Sequence, residues 1–172
     1  GLKSPWYLGD TLSAAIGQHE NQYTPIQLAN YISAIANGGT LNKVSVLKEI
    51  KNESTMETVP LSDIEKTMEE FTNVKFESRK INIKEEYLNA IKEGMLSVTT
   101  ETGGTANIVF KNSNIKVAGK TGTSQVSSGT NNGLFVGFAP YDNPKIAVVA
   151  IIEHGEEGTY PSRQPAGSCT RA

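Results

Sequence analysis

The sequence predicts an α+β fold in which an antiparallel three-strand meander packs against helices. Three observations predict it. Between residues 117 and 153, three apolar, β-prone runs are separated by turns rich in Gly, Asn and Pro. Upstream, residues 24–37 and 82–100 place apolar residues at helical spacing. After the first helix the sequence turns polar: 19 of the 34 charged residues fall within 48–93, a span that runs into the second helix, with both signs mixed, the pattern of a solvated surface excursion.

Near the start, Pro5-Trp6-Tyr7 offers two readings. A buried-type aromatic pair so close to an end fits a boundary cut through a domain, and it equally fits local packing on a surface loop. The first clear helix follows. Thr24 is its N-cap, Pro25 its first residue, and Gln27 completes a capping box. Ile26, Ala29, Ile32 and Ala36 are expected to face a core, and Gly38-Gly39 to end the helix in the left-handed conformation.

Within the excursion, Val44, Val46 and Leu47 suggest a strand, with residues 75–83 returning as a second. Ser62-Asp63-Ile64-Glu65 offers another capping box, with Ile64, Met68 and Phe71 along one helix face. Asn82-Ile83-Lys84-Glu85 opens the next helix, whose apolar stripe is Tyr87, Leu88, Ile91, Met95 and Val98. Residues 101–107, with Gly103-Gly104-Thr105, read as a mobile loop. The last two strands are expected at 133–139 and 145–153, joined by Pro140-Tyr141-Asp142-Asn143-Pro144. Ile146 to Ile152 is apolar throughout, which predicts cover on both faces. After Tyr160 there is no periodicity and no acid, so residues 161–172 read as a disordered or foreign tail.

Composition narrows the function. The chain has 172 residues, a net charge of −2 and pI ≈ 5.8, values that suit one domain of ordinary size and argue against a nucleic-acid partner. The longest apolar run is strand-length, too short to span a bilayer, and the chain opens on no secretory signal. Cys169 has no partner for a disulfide or metal site, and His19 and His154 lack metal-ligand spacing, so neither metal nor cofactor is expected.

Chemistry concentrates in Val117-Ala118-Gly119-Lys120-Thr121-Gly122-Thr123-Ser124-Gln125. As a strand it places Lys120 and Gly122 on one face and Thr121 and Thr123 on the other. Gly122 permits close approach of a ligand or another backbone. An ammonium, hydroxyls and main-chain N–H groups on one strand suit an anion. A nucleotide-binding P-loop would need glycine at position 114, where Asn114 stands, and a helix after Lys120-Thr121, where the sequence is rich in Gly, Ser, Thr and Asn.

Four signals in order resemble part of the transpeptidase domain of class B penicillin-binding proteins, in its C-terminal half. They are Ile16-Gly17-Gln18, Thr24-Pro25-Ile26-Gln27-Leu28-Ala29 with Ala36-Asn37-Gly38-Gly39, Ala118-Gly119-Lys120-Thr121-Gly122-Thr123, and Phe135-Val136-Gly137-Phe138-Ala139-Pro140. The resemblance covers residues 6–160 and implies a partial transpeptidase fold with an incomplete sheet. In that family a serine attacks the penultimate D-alanine carbonyl of a peptidoglycan stem peptide, and β-lactams acylate the same serine. The resemblance gives Lys120, Thr121, Gly122 and Thr123 to substrate binding. Lys120 is the electrostatic anchor, Thr123 the hydroxyl meeting the substrate carboxylate, and the Thr123 N–H one of two oxyanion-hole donors.

The family also needs a helical Ser-x-x-Lys and a Ser-x-Asn. No Ser-x-Asn occurs. Ser45-Val46-Leu47-Lys48 lies in strand-like sequence, and Ser113-Asn114-Ile115-Lys116 abuts the Lys-Thr-Gly strand, where extended spacing separates serine from lysine. The chain therefore reads as a fragment without its nucleophile, inactive alone, from a parent tethered outside the cytoplasmic membrane. His19 replaces the family's usual glycine and reads as a surface substitution. Uncovered apolar faces would favour a homodimer of the fragment. The alternative is a non-catalytic module binding an anion or a peptide carboxylate.

Overall fold

The computed structural model describes residues 5–18, 21–45, 47–73, 75, 77–126 and 128–155. His19, Val46, Cys169 and the tail at 161–172 lie outside them. In chain order the elements are α1 (Leu8–Ala15), α2 (Pro25–Ala36), β1 (Thr40–Leu41), β2 (Ile50–Lys51), β3 (Thr58–Val59), α3 (Leu61–Thr72), β4 (Arg79–Lys80), α4 (Glu85–Thr100), α5 (Asn107–Phe110), β5 (Ala118–Ser124), β6 (Asn132–Ala139) and β7 (Ile146–Ile152). The architecture is α+β. The meander β5-β6-β7 is antiparallel throughout, and two small antiparallel ribbons, β1-β4 and β2-β3, belong to the excursion.

The core forms where α2 and α4 meet one face of the meander. Ile32, Ile35 and Ala36 of α2 and Met95 of α4 close over Ala118 of β5 and Phe138 of β6. Ala118 and Phe138 are cross-strand partners, which puts them on the same face. α2 starts as its sequence dictates: the Gln27 N–H donates to Thr24 Oγ1 at 3.4 Å, and the Thr24 N–H donates to Gln27 Oε1 at 2.8 Å. Gly38 and Gly39 have φ of 84° and 97°, the left-handed stop.

Several expectations are corrected. Residues 44, 45 and 47 form no strand; Thr40–Leu41 pairs with Arg79–Lys80 instead. The Ser62 capping box does not form. Pro60, with φ −56° and ψ 131°, precedes the helix, and Ser62 Oγ donates to Asp63 Oδ1 from inside it. Phe71, assigned to an apolar face of α3, is 88% exposed. In α4 the buried line is Leu88, Met95 and Thr99, while Tyr87 and Ile91 are exposed, so the helix is rotated from its expected stripe. β7 is not covered on both faces: Ile146 and Val148 stand exposed on the face away from α2. Residues 8–15 form a helix that the sequence did not announce, with the Tyr7 N–H donating to the Asp10 carboxylate at 2.7 Å. Trp6 lies on the surface, its indole N–H donating to Thr11 Oγ1 at 2.9 Å.

Candidate functional site

The site is built on β5, an outer strand of the meander. Its register runs from Ala118 opposite Phe138 to Ser124 opposite Asn132, so Lys120 faces Val136, Thr121 faces Phe135 and Thr123 faces Gly133. Exposure along β5 does not follow the simple alternation of faces anticipated for the motif. Lys120 and Thr123 are exposed, while Thr121 is buried between them. β5 continues as strand to Ser124, which excludes the helix that a P-loop requires after its lysine.

The outer edge of β5 gathers polar groups. In an antiparallel ladder both main-chain groups of a residue point the same way, alternately toward the partner strand and away from it. Lys120 Nζ donates to the Thr121 carbonyl at 2.7 Å, and Gln18 Nε2 donates to the Thr123 carbonyl at 3.2 Å. Both carbonyls therefore lie on the outer edge, and the N–H groups of Thr121 and Thr123 lie there with them.

Gln18 reaches this edge because α1 ends correctly. Gly17 takes φ 81°, its N–H donates to the Ala14 carbonyl, and the Gln18 N–H donates to the Ser13 carbonyl, both at 3.0 Å. That pair of bonds is a Schellman stop, which glycine permits because it carries no Cβ. Asn21 Nδ2 donates to the carbonyls of Ala14 and Gln18 and fixes the turn that follows. Ile16-Gly17-Gln18 and the Lys-Thr-Gly string, about a hundred residues apart, thus meet at one hydrogen bond.

Behind β5, α4 holds the strand in place. Thr99 is fully buried, and its hydroxyl bridges the carbonyls of Leu96 at 2.8 Å and Val117 at 2.5 Å. The segment expected to be mobile is docked. The Ala106 N–H donates to the Val98 carbonyl at 3.1 Å, Ala106 is fully buried, and Thr105 Oγ1 lies 2.7 Å from Thr121 Oγ1. The ring of Phe110 stacks on Phe135 with centroids 5.5 Å apart, closing this side of the sheet.

The two Ser-x-x-Lys strings do not join the site. Ser45 and Ser113 both lie outside helices, and each hydroxyl folds onto its own turn, toward Leu47 and Ile115 respectively. Among the described residues no cluster of His, Cys, Asp or Glu could hold a metal ion. Sequence reasoning missed the Gln18 contact and the Thr105 contact. The only signal for the first was that Ile16-Gly17-Gln18 belonged to the motif set; the second had only the glycine pair Gly103-Gly104 before it.

Comparison with known proteins follows the same line. The family model described as the penicillin-binding protein transpeptidase domain matches residues 1–169. Peptidoglycan D,D-transpeptidase MrdA of Haemophilus influenzae is 32% identical over 172 residues, covering 91% of this chain and 24% of that protein. Penicillin-binding protein PBP2 of Pseudomonas aeruginosa, solved in complex with WCK 5153, superposes with a TM-score of 0.66 at 31% identity, over 92% of this chain and 31% of that one. PBP2 of Helicobacter pylori gives 0.65 at 29% identity, over 94% and 26%. The chain spans about a quarter of the length of these curated relatives. It belongs to the class B penicillin-binding protein transpeptidase domain family, of which it is a part.

Proposed function

We propose that this chain forms one wall of the active site of a peptidoglycan D,D-transpeptidase, and that β5 grips the C-terminal carboxylate of a stem peptide ending in D-Ala-D-Ala. The observation that carries this is the outer edge of β5, where the Lys120 ammonium lies on the Thr121 carbonyl beside two outward main-chain N–H groups, with the exposed Thr123 two residues further along. An ammonium attracts the carboxylate, and a hydroxyl donor fixes its direction; hydrogen bonds to charged groups contribute about 1.5–3 kcal/mol.

In the reaction, a serine oxygen bonds to the penultimate carbonyl carbon and its proton is taken by a neighbouring base. Terminal D-alanine leaves with a proton on its nitrogen, and the acyl group passes to an amine of a neighbouring strand. β5 supplies the binding half. The Thr123 N–H would donate to the oxyanion as the carbonyl becomes tetrahedral, a preset donor worth about 3–4 kcal/mol of barrier. Gly122 carries no side chain on the stretch of β5 where the substrate would approach.

The attacking serine is not among these residues. Neither Ser45 nor Ser113 shares a helical face with its lysine, as proton transfer between the pair requires. On this reading the chain alone is inactive. A fluorescent penicillin should leave no band on a denaturing gel of the 172-residue chain and a strong band with the full-length gene product. A covalent band from the short chain would contradict the assignment. The same lack of a helix-borne Ser-x-x-Lys pair among the described residues favours a second reading, a non-catalytic carboxylate-binding module, for which the full-length product would also stay unlabelled. The parent would be tethered outside the cytoplasmic membrane. Among the described residues no helix is long and apolar enough to cross one.

A further inference from the structure

We propose that Thr105 is part of the carboxylate subsite, the hydroxyl that meets the substrate anion with Thr121 behind it. The inference rests on the proposed function and adds a residue outside the Lys-Thr-Gly string. Its basis is a reversal of accessibility. Thr121, the motif residue, is 8% exposed, whereas Thr105, from the loop after α4, is open to solvent. Their hydroxyl oxygens are 2.7 Å apart. An anion approaching this side of β5 reaches Thr105 before it reaches Thr121.

The loop holds Thr105 there firmly. Gly103 takes φ 92°, and the Gly104 N–H donates to the Glu101 carbonyl at 3.0 Å. A Cβ on Gly104 would sit 2.4 Å from the Val98 carbonyl oxygen and 2.7 Å from that of Ser97. Only glycine lets the chain cross the end of α4 so closely. Asn107 Nδ2 then donates to the Thr99 carbonyl at 3.4 Å, and the Ala106 N–H to that of Val98 at 3.1 Å. Clamping at Gly104, Ala106 and Asn107 leaves Thr105 little freedom except at its hydroxyl.

Either hydroxyl can donate to the other. Each hydroxyl has one hydrogen to donate and can accept two. If Thr121 donates to Thr105, the Thr105 hydrogen is left for an outside acceptor, and receiving a bond makes it a stronger donor. Thr123 lies two residues along β5 on the same side as Thr121, about 7 Å by strand geometry. Thr105 meets the Thr121 hydroxyl on that side, at 2.7 Å. Thr105 and Thr123 would flank the anion, with Lys120 balancing its charge.

Titration of the 172-residue chain with acetyl-D-Ala-D-Ala and with its C-terminal carboxamide separates this role from a structural one. Thr105→Val should weaken the acid about tenfold and leave the amide within about twofold, while Thr105→Ser keeps both, since a charge-assisted hydroxyl bond is lost in the first variant and retained in the second. Thr105→Ala should repeat the valine result, so one poorly folded variant cannot decide the matter. Equal loss on acid and amide, or no loss on either, overturns the role of Thr105. Acid binding that Lys120→Ala abolishes and Thr105→Val leaves intact overturns Thr105 while sparing the proposed function. Failure of the unmodified chain to bind the acid overturns both.

Discussion

Single hydroxyls and amides hold the site together. Thr99 is the plainest case: fully buried, it satisfies the Val117 carbonyl one residue before β5 begins. Thr99→Val keeps the shape and removes the donor, leaving a buried carbonyl unpaired at a cost of about 1–3 kcal/mol. Urea unfolding should show a lower midpoint with an unchanged slope; an unchanged midpoint would mean that Thr99 does not secure the strand. Lys120, Gly122 and Thr123 were legible as candidates because hydroxyls and an ammonium alternating about glycine form a local pattern. Gln18 and Thr105 were not. Their partners lie 105 and 16 residues away, and nothing in a short window encodes such a meeting. The glycines beside them are the local trace: Gly17 turns Gln18 toward β5, and Gly104 lets Thr105 come close.

At the scale of elements, α2 and the meander were readable because their signals are short-range and redundant. α2 has a cap, a capping box, a proline at its first position and a glycine stop, and all agree. Thr24→Ala removes the cap and should lower stability by about 1 kcal/mol, measured as a fall in melting temperature; Thr24→Ser should restore most of it. The errors fall where cover decides the outcome. α1 has no buried residue, so it gives the apolar periodicity little to report. The strand expected at 44–47 was β-prone in composition, but Val44 and Leu47 find no partner strand among the described residues and stay exposed. In α4 the buried position 99 is a threonine, invisible to an apolar count yet required by the Val117 carbonyl. Gly104→Ala is the matching test at the α4–β5 junction. Its Cβ would meet backbone oxygen, so amide exchange in β5 should quicken as the loop lifts, and unchanged exchange would show that the loop is not its clamp.

The whole molecule leaves apolar surface open. Leu8 and Leu12 on α1, Ile16 at its C-cap, Phe71 on α3 and Ile146 on β7 are all more than half exposed. Single exposed apolar residues are ordinary, but a row of them along one helix is a surface that another chain can cover. The chain spans about a quarter of its relatives' length, and surfaces of this kind suit contact with the rest of such a domain. Without it, we expect self-association at high concentration, reduced by Leu12→Lys with Ile146→Lys; a monodisperse monomer in light scattering would contradict this. The family was legible from sequence because four motifs kept their order, and order is a property of the whole chain.

The central claim, that the outer edge of β5 grips a peptide carboxylate, is tested most directly by titrating acetyl-D-Ala-D-Ala into the 172-residue chain beside its Lys120→Ala variant. Weak, saturable, non-covalent binding that the variant loses is expected. A flat titration of the unmodified chain, or binding that survives loss of the ammonium, would contradict it.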